Sequence, residues 1–131
     1  MINIMNGKRF VTAINCIDGR VQTPVIDWMK KEFKADYVDM ITEAGPDKLL
    51  TESRFSFESA FVKNKVEVSF QKHGSKIVAV VGHYDCAGNP VDKENHIRQI
   101  KSSVETVASW GFNASVIGLW VDEHWAVHKI I

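Results

Sequence analysis

Apolar positions along this chain fall into two regimes, continuous β-branched runs and stripes at helical spacing. Arg9 to Ile14 (RFVTAI) is rich in β-formers and ends at the polar stretch Asn15-Cys16-Ile17-Asp18-Gly19-Arg20, which predicts a buried strand delivering its C-terminal end into a loop. Thr23-Pro24 then predicts a helix start, threonine as cap and proline at the first helical position, with Val25, Ile26, Trp28, Met29 and Phe33 on the apolar face. Tyr37 to Thr42 (YVDMIT) reads as a second strand closed by the turn signal Ala44-Gly45-Pro46. Leu50, Phe57, Phe61 and Val68 follow at helical multiples, so Leu49 to Lys72 is expected to be helical with at most one break, stopped at His73-Gly74.

Lys76 to Gly82 (KIVAVVG) is the clearest buried strand, continuous and β-branched as in a parallel strand covered on both faces, and it leads directly into His83-Tyr84-Asp85-Cys86. His96 to Trp110 places Ile97, Ile100, Val104, Val107 and Ala108 on one helical face, ended by Gly111. Ala114 to Val121 is a last strand, followed by a tail with Trp125, Val127 and Ile130. Strands alternating with helices predict one α/β domain over residues 1–131. It should have three layers, α/β/α, around a mainly parallel sheet of about four to five strands with right-handed crossovers. Strand C-terminal ends then gather on one edge, where ligands of open α/β sheets bind.

Composition narrows the function classes. At 131 residues and 45% hydrophobic content the chain can bury a core without covalent staples. Sixteen basic residues balance sixteen acidic ones, so no summed positive field draws it to nucleic acid or an anionic membrane. The longest apolar runs fall well short of the roughly 20 residues of a membrane span, and MINIMNGKRF lacks the features of a signal peptide; the expectation is a cytoplasmic protein. The two cysteines each close an apolar run, a setting that favours metal chemistry over a structural disulfide.

Both cysteines fall just past a parallel strand, with His83 three residues before Cys86. Two thiolates and an imidazole from Cys16, His83 and Cys86 suit zinc and leave a fourth tetrahedral position for water or a carboxylate, the arrangement of a catalytic site. Asp18 and Arg20 are two apart in the same loop and point the same way, so Arg20 can hold Asp18 ionised beside the metal as acceptor or fourth ligand. His124 and His128 are candidate proton carriers, and Gln22 and Asn15 candidate hydrogen-bond donors to a substrate.

Cys16-Ile17-Asp18-Gly19-Arg20 resembles the Cys-x-Asp-x-Arg signature of the β-class carbonic anhydrases, and Gly82-His83-Tyr84-Asp85-Cys86-Ala87-Gly88 resembles their Gly-His-x-x-Cys-Gly signature. The resemblance implies a parallel sheet flanked by helices and zinc held by Cys16, His83 and Cys86. It implies a catalytic dyad of Asp18 and Arg20, and hydration of carbon dioxide to bicarbonate by a zinc-bound hydroxide, with activity rising toward alkaline pH. It also implies a homodimer or higher homo-oligomer, with Phe55, Phe57, Trp120 and Trp125 as candidate surface residues. The sequence departs from the family where Arg-Asn-Ala-Gly-Asn is expected, carrying Thr42-Glu43-Ala44-Gly45-Pro46, and has no glutamine before Cys16. Three other readings remain open: hydrolysis of carbonyl sulfide or carbon disulfide, a zinc-binding module closed by Asp18, and a thiol redox protein.

Overall fold

The chain is described by a computed structural model over residues 7–131, so Met1 to Asn6 of the opening segment lie outside the described residues. Strands β1 (Phe10–Cys16), β2 (Tyr37–Glu43), β3 (Ile77–His83), β4 (Ser115–Val121) and β5 (Val127–Lys129) form one sheet in the order β2-β1-β3-β4-β5. The first four run parallel, with Thr12 opposite Val78 and Ile14 opposite Val80 across the centre, while β5 pairs antiparallel with β4. That antiparallel edge comes from the tail. After Val121 the turn at Asp122 to Ala126 reverses the chain, with Trp125 at φ 61 and Asp122 N–H bonded to Ala126 C=O at 3.0 Å.

Helices α1 (Gln22–Phe33), α2 (Pro46–Glu52), α3 (Phe57–His73) and α4 (Lys93–Ala108) cover both faces and complete the three layers. Val21, Val25 and Met29 pack with Val11, Ala13, Ala79 and Val81 on one face. Leu50, Val62, Val66, Val104 and Val107 pack with Ile14, Val78 and Val80 on the other. The alternation of β1 and β3 between these two cores is what a strand buried on both faces requires, and explains their continuous apolar sequences.

Two expectations are corrected. Helix α1 starts at Gln22 without a threonine cap, because a 3-10 turn over Gly19–Val21 feeds straight into it; Asp18 caps that turn by accepting Arg20 N–H. Pro24 is tolerated inside the first turn, where N–H groups lack intrahelical partners. The second correction concerns α3. Its buried residues are Ser59, Val62, Val66 and Ser69, while Phe57, Phe61 and Val68 lie exposed on the stripe that the spacing marked as apolar. The serines win burial through bonds: Ser59 Oγ donates to Ser53 C=O, and Ser69 Oγ donates to Asp39 and pairs with Thr12.

Candidate metal centre

The strand order reverses between β1 and β3: β2 lies to one side of β1, and β3, β4 and β5 lie to the other. The crevice beyond the carboxyl ends of such a pair is where open α/β sheets place their ligands. Cys16 is the last residue of β1 and His83 the last of β3, and Cys86 follows in the turn. Their ligand atoms all lie within 4.8 Å of one another, and all three residues are buried.

The two sulfurs stand 3.8 Å apart. Two thiolates each about 2.3 Å from a tetrahedral zinc stand about 3.8 Å apart by simple trigonometry, so the pair has the separation of co-ligands and not of a disulfide, whose sulfurs sit at about 2.05 Å. His83 Nδ1 bonds the Tyr84 carbonyl at 2.7 Å, which fixes the ring, and its buried Nε2 has no hydrogen-bond partner. A buried nitrogen lone pair without a partner is costly unless something occupies its axis. The residues present therefore fit a metal ion of borderline softness.

The electrostatics agree. The hydrogen bond with Cys86 holds the Cys16 thiol well below the usual thiol range despite burial, with further lowering from His83 and from the backbone N–H groups of Gly45 and Asp18. Cys86 moves the other way, because its proton bridges to the Cys16 sulfur and burial disfavours a second thiolate. Burial opposes the charged form of His83, but the neighbouring Cys16 sulfur and the Tyr84 carbonyl outweigh it and raise the imidazole pKa. The surroundings thus pull Cys16 toward the thiolate and His83 toward keeping its proton.

Asp18 stands beside the cluster, with Oδ2 4.0 Å from His83 Nε2. Arg20 grips it through Nη2 to Oδ2 at 2.7 Å and Nε to Oδ1 at 3.1 Å, and this fork holds the carboxyl down at about 2. Arg20 is itself fixed by Asp85, through Nη1 to Oδ2 at 3.2 Å and Nη2 to the carbonyl at 3.0 Å, and by the Trp125 ring 4.7 Å from its Cζ. Of the other candidates, Gln22 and Asn15 have their side-chain amides engaged by backbone carbonyls. Gln22 donates to the Cys16 and Asp18 carbonyls, and Asn15 donates to Val21 C=O, so both brace the loop that follows β1. His128 pairs with Asp122 at 2.7 Å on a cleft of about 830 Å³ that Cys86 also lines, whereas His124 contributes only a backbone bond to Asp122. Trp120 is buried and offers no surface.

Sequence spacing missed Asp85, Trp125 and the buried set Asp47, Asn89, His96 and Gln99. Asp85 lies inside the second motif and could have been read as a loop carboxylate near Arg20; nothing local marks Trp125.

This fold and cluster define a class. The structure aligns with the β-carbonic anhydrase isoform I of Trichomonas vaginalis at TM-score 0.63 and 18% identity, over 100% of this chain and 87% of that one. It aligns with a carbonic anhydrase of Streptococcus mutans at TM-score 0.61 and 14% identity, over 92% and 81% of the two chains. A Sordaria macrospora relative, one of two described as tetrameric β-carbonic anhydrases, gives 0.58 and 11% over 94% and 81%. At these identities the likeness establishes the fold. No curated protein sequence matches the chain. Residues 6–131 match the family model described as "Putative carbonic anhydrase", and the chain belongs to that family as a divergent member with the β-class fold.

Proposed function

We propose that the chain is a zinc-dependent carbonic anhydrase that hydrates carbon dioxide to bicarbonate, with Cys16, His83 and Cys86 holding the metal. The observation that carries this reading is the convergence of two thiols 3.8 Å apart with a buried, partnerless imidazole nitrogen at the sheet's switch point. Zinc, when bound there, supplies the Lewis acidity that makes hydroxide available from water near neutral pH. The chain's own residues do the rest. Asp18, kept ionised by Arg20, accepts a hydrogen bond from the reacting water and orients its lone pair toward the carbon of the substrate. Because Arg20 already engages both oxygens of Asp18, the carboxylate is held beside the cluster, and this favours a fourth position open to water over one closed by Asp18. Two thiolates donate more charge than imidazoles, so turnover is expected to rise toward alkaline pH, with buffer or the cleft-lining His128 carrying the proton away.

The same reading places a small molecule as partner and a homo-oligomer in the cytoplasm as the working form. Among the described residues no helix is long and apolar enough to cross a membrane. The test is metal analysis of the purified protein followed by stopped-flow carbon dioxide hydration at about pH 7 and about pH 8.5. Stoichiometric zinc with hydration that rises with pH and falls by about 100-fold in Asp18→Ala is the expected result. Zinc without turnover would redirect the reading to carbonyl sulfide or carbon disulfide, and a protein with no metal would end it.

A further inference from the structure

Two of the three metal-binding side chains belong to strands, where ladder hydrogen bonds set their positions, but Cys86 does not. It lies in the turn between β3 and α4, where Asp85 takes φ 56 and the Cys86 carbonyl receives only a long bond from Asn89 N–H, at 3.3 Å. Such a turn has little intrinsic rigidity. What fixes it is a buried polar cluster on the helical side. Asn89 Nδ2 donates to Asp47 Oδ1 at 3.0 Å and to Gln99 Oε1 at 2.6 Å, and His96 Nδ1 meets Asp47 Oδ2 at 2.6 Å. Lys48 N–H adds a bond to Asp47 Oδ1 at 3.1 Å. Asp47, Asn89 and His96 are each at most 1% exposed.

A carboxylate taken wholly out of water is costly unless its bonds are complete, and apolar residues of equal volume would generally stabilise a core as well or better. Such a cluster is therefore better explained by the geometry it imposes. That geometry is transmitted to the sulfur. The backbone N–H groups of Gly88 and Asn89 lie beside the Cys86 sulfur, and Asn89 N–H closes the turn on the Cys86 carbonyl at 3.3 Å. Gly88 is pressed so closely against the loop before α2 that a Cβ on it would lie 2.6 Å from the Ala44 carbonyl carbon. A Cβ on Gly82, the residue before His83, would lie 2.7 Å from Asp47 Oδ2. The same carboxylate thus abuts the strand end carrying one ligand and anchors the turn carrying another.

We infer that Asp47, Asn89, His96 and Gln99 are positioning residues for the metal centre, which lock the turn so that the Cys86 sulfur is held at co-ligand distance from Cys16 before the metal arrives. This rests on the metal-binding reading above. Outer partners of metal ligands typically change affinity by about 10–100-fold when removed. The experiment measures zinc affinity by chelator competition and the sulfur-to-metal absorption of the cobalt-substituted protein. It compares the wild type with Asn89→Ala, Gln99→Leu, His96→Ala, His96→Asn, and Val66→Ala, a buried change on α3 outside the cluster.

The expected result is a loss of at least about tenfold in affinity with a shifted cobalt spectrum in Asn89→Ala and His96→Ala, and a smaller loss in Gln99→Leu. His96→Asn, whose amide nitrogen stands where Nδ1 does, should recover most of the affinity. Val66→Ala should lower the melting temperature while leaving affinity and spectrum unchanged. Cluster variants that bind like the wild type, or lose no more than Val66→Ala does, would overturn this inference and leave the metal reading standing. If Asn89→Ala does not fold, Gln99→Leu and the two His96 variants decide. A wild type that binds neither zinc nor cobalt would overturn both.

Discussion

Arg20 joins three parts of the site at once: the Asp18 carboxylate, the turn of the second motif through Asp85, and the tail through Trp125. Its planar fork suits this in a way a lysine ammonium does not. In Arg20→Ala the Asp18 carboxyl should climb from about 2 back toward its ordinary 3.8, readable by carboxyl NMR titration, and Arg20→Lys should restore only part of the depression. The sign is that of a depressed acid. Asp18's contribution to stability is full above 3.8 and is lost as pH falls toward about 2, so the variant should be the less stable protein above 3.8 and its deficit against the wild type should shrink as pH falls toward about 2. Two of the three proposed ligands behave in the opposite sense toward metal. Cys86 and His83 are both shifted toward keeping their protons, and binding must remove them. Zinc affinity should therefore be weaker by at least about tenfold at pH 6 than at pH 8 in a chelator competition.

Among the elements, the loop between β2 and α2 and the turn after β3 are packed backbone to backbone. Gly45 takes φ +66, and a Cβ on it would sit 2.8 Å from the Gly88 carbonyl group. Gly88→Ala should accordingly cost about 1–3 kcal/mol in urea unfolding, because the obstacle is main chain that cannot rotate away. Small residues at Ala44 and Gly45 let the turn of the second motif pack this closely, and Gly45 N–H lies beside the Cys16 sulfur. Helix periodicity was reliable for the buried side of α1 and for Ile100, Val104 and Val107 of α4, although α4 starts earlier, at Lys93, and Ala108 at its end is exposed. It misplaced the buried face of α3, where apolar residues lie all round the helix and polar partners on β1, on β2 and before α3 decide which way it turns.

For the whole molecule, the exposed aromatic residues just before and along α3 bear on assembly. Phe55 and Phe57 are 89% and 82% exposed and Phe61 57%, and each forfeits much of the roughly 1.5–3 kcal/mol that burial would supply. If the chain assembles as the tetrameric relatives do, this face is the candidate contact. Light scattering behind size exclusion should show a mass above that of one 14.8 kDa chain, and Phe57→Ser with Phe61→Ser should lower it without unfolding the protein. A monomeric wild type would remove that assignment.

What the sequence determined by itself was local: runs that had to be buried strands, stripes that had to be helices, and two short motifs whose residue types suit a borderline metal. Because strand and helix alternate, even the gathering of Cys16, His83 and Cys86 on one sheet edge followed from chain order and crossover handedness. Only the tertiary structure decided contacts between residues far apart in sequence. These are the 3.8 Å between the sulfurs, the grip of Asp85 and Trp125 on Arg20, and the cluster that joins Asp47 to Asn89 and His96. The physical reason is that periodicity reports which side of an element avoids water, whereas a polar contact depends on which atoms the packed elements bring within about 3 Å of each other.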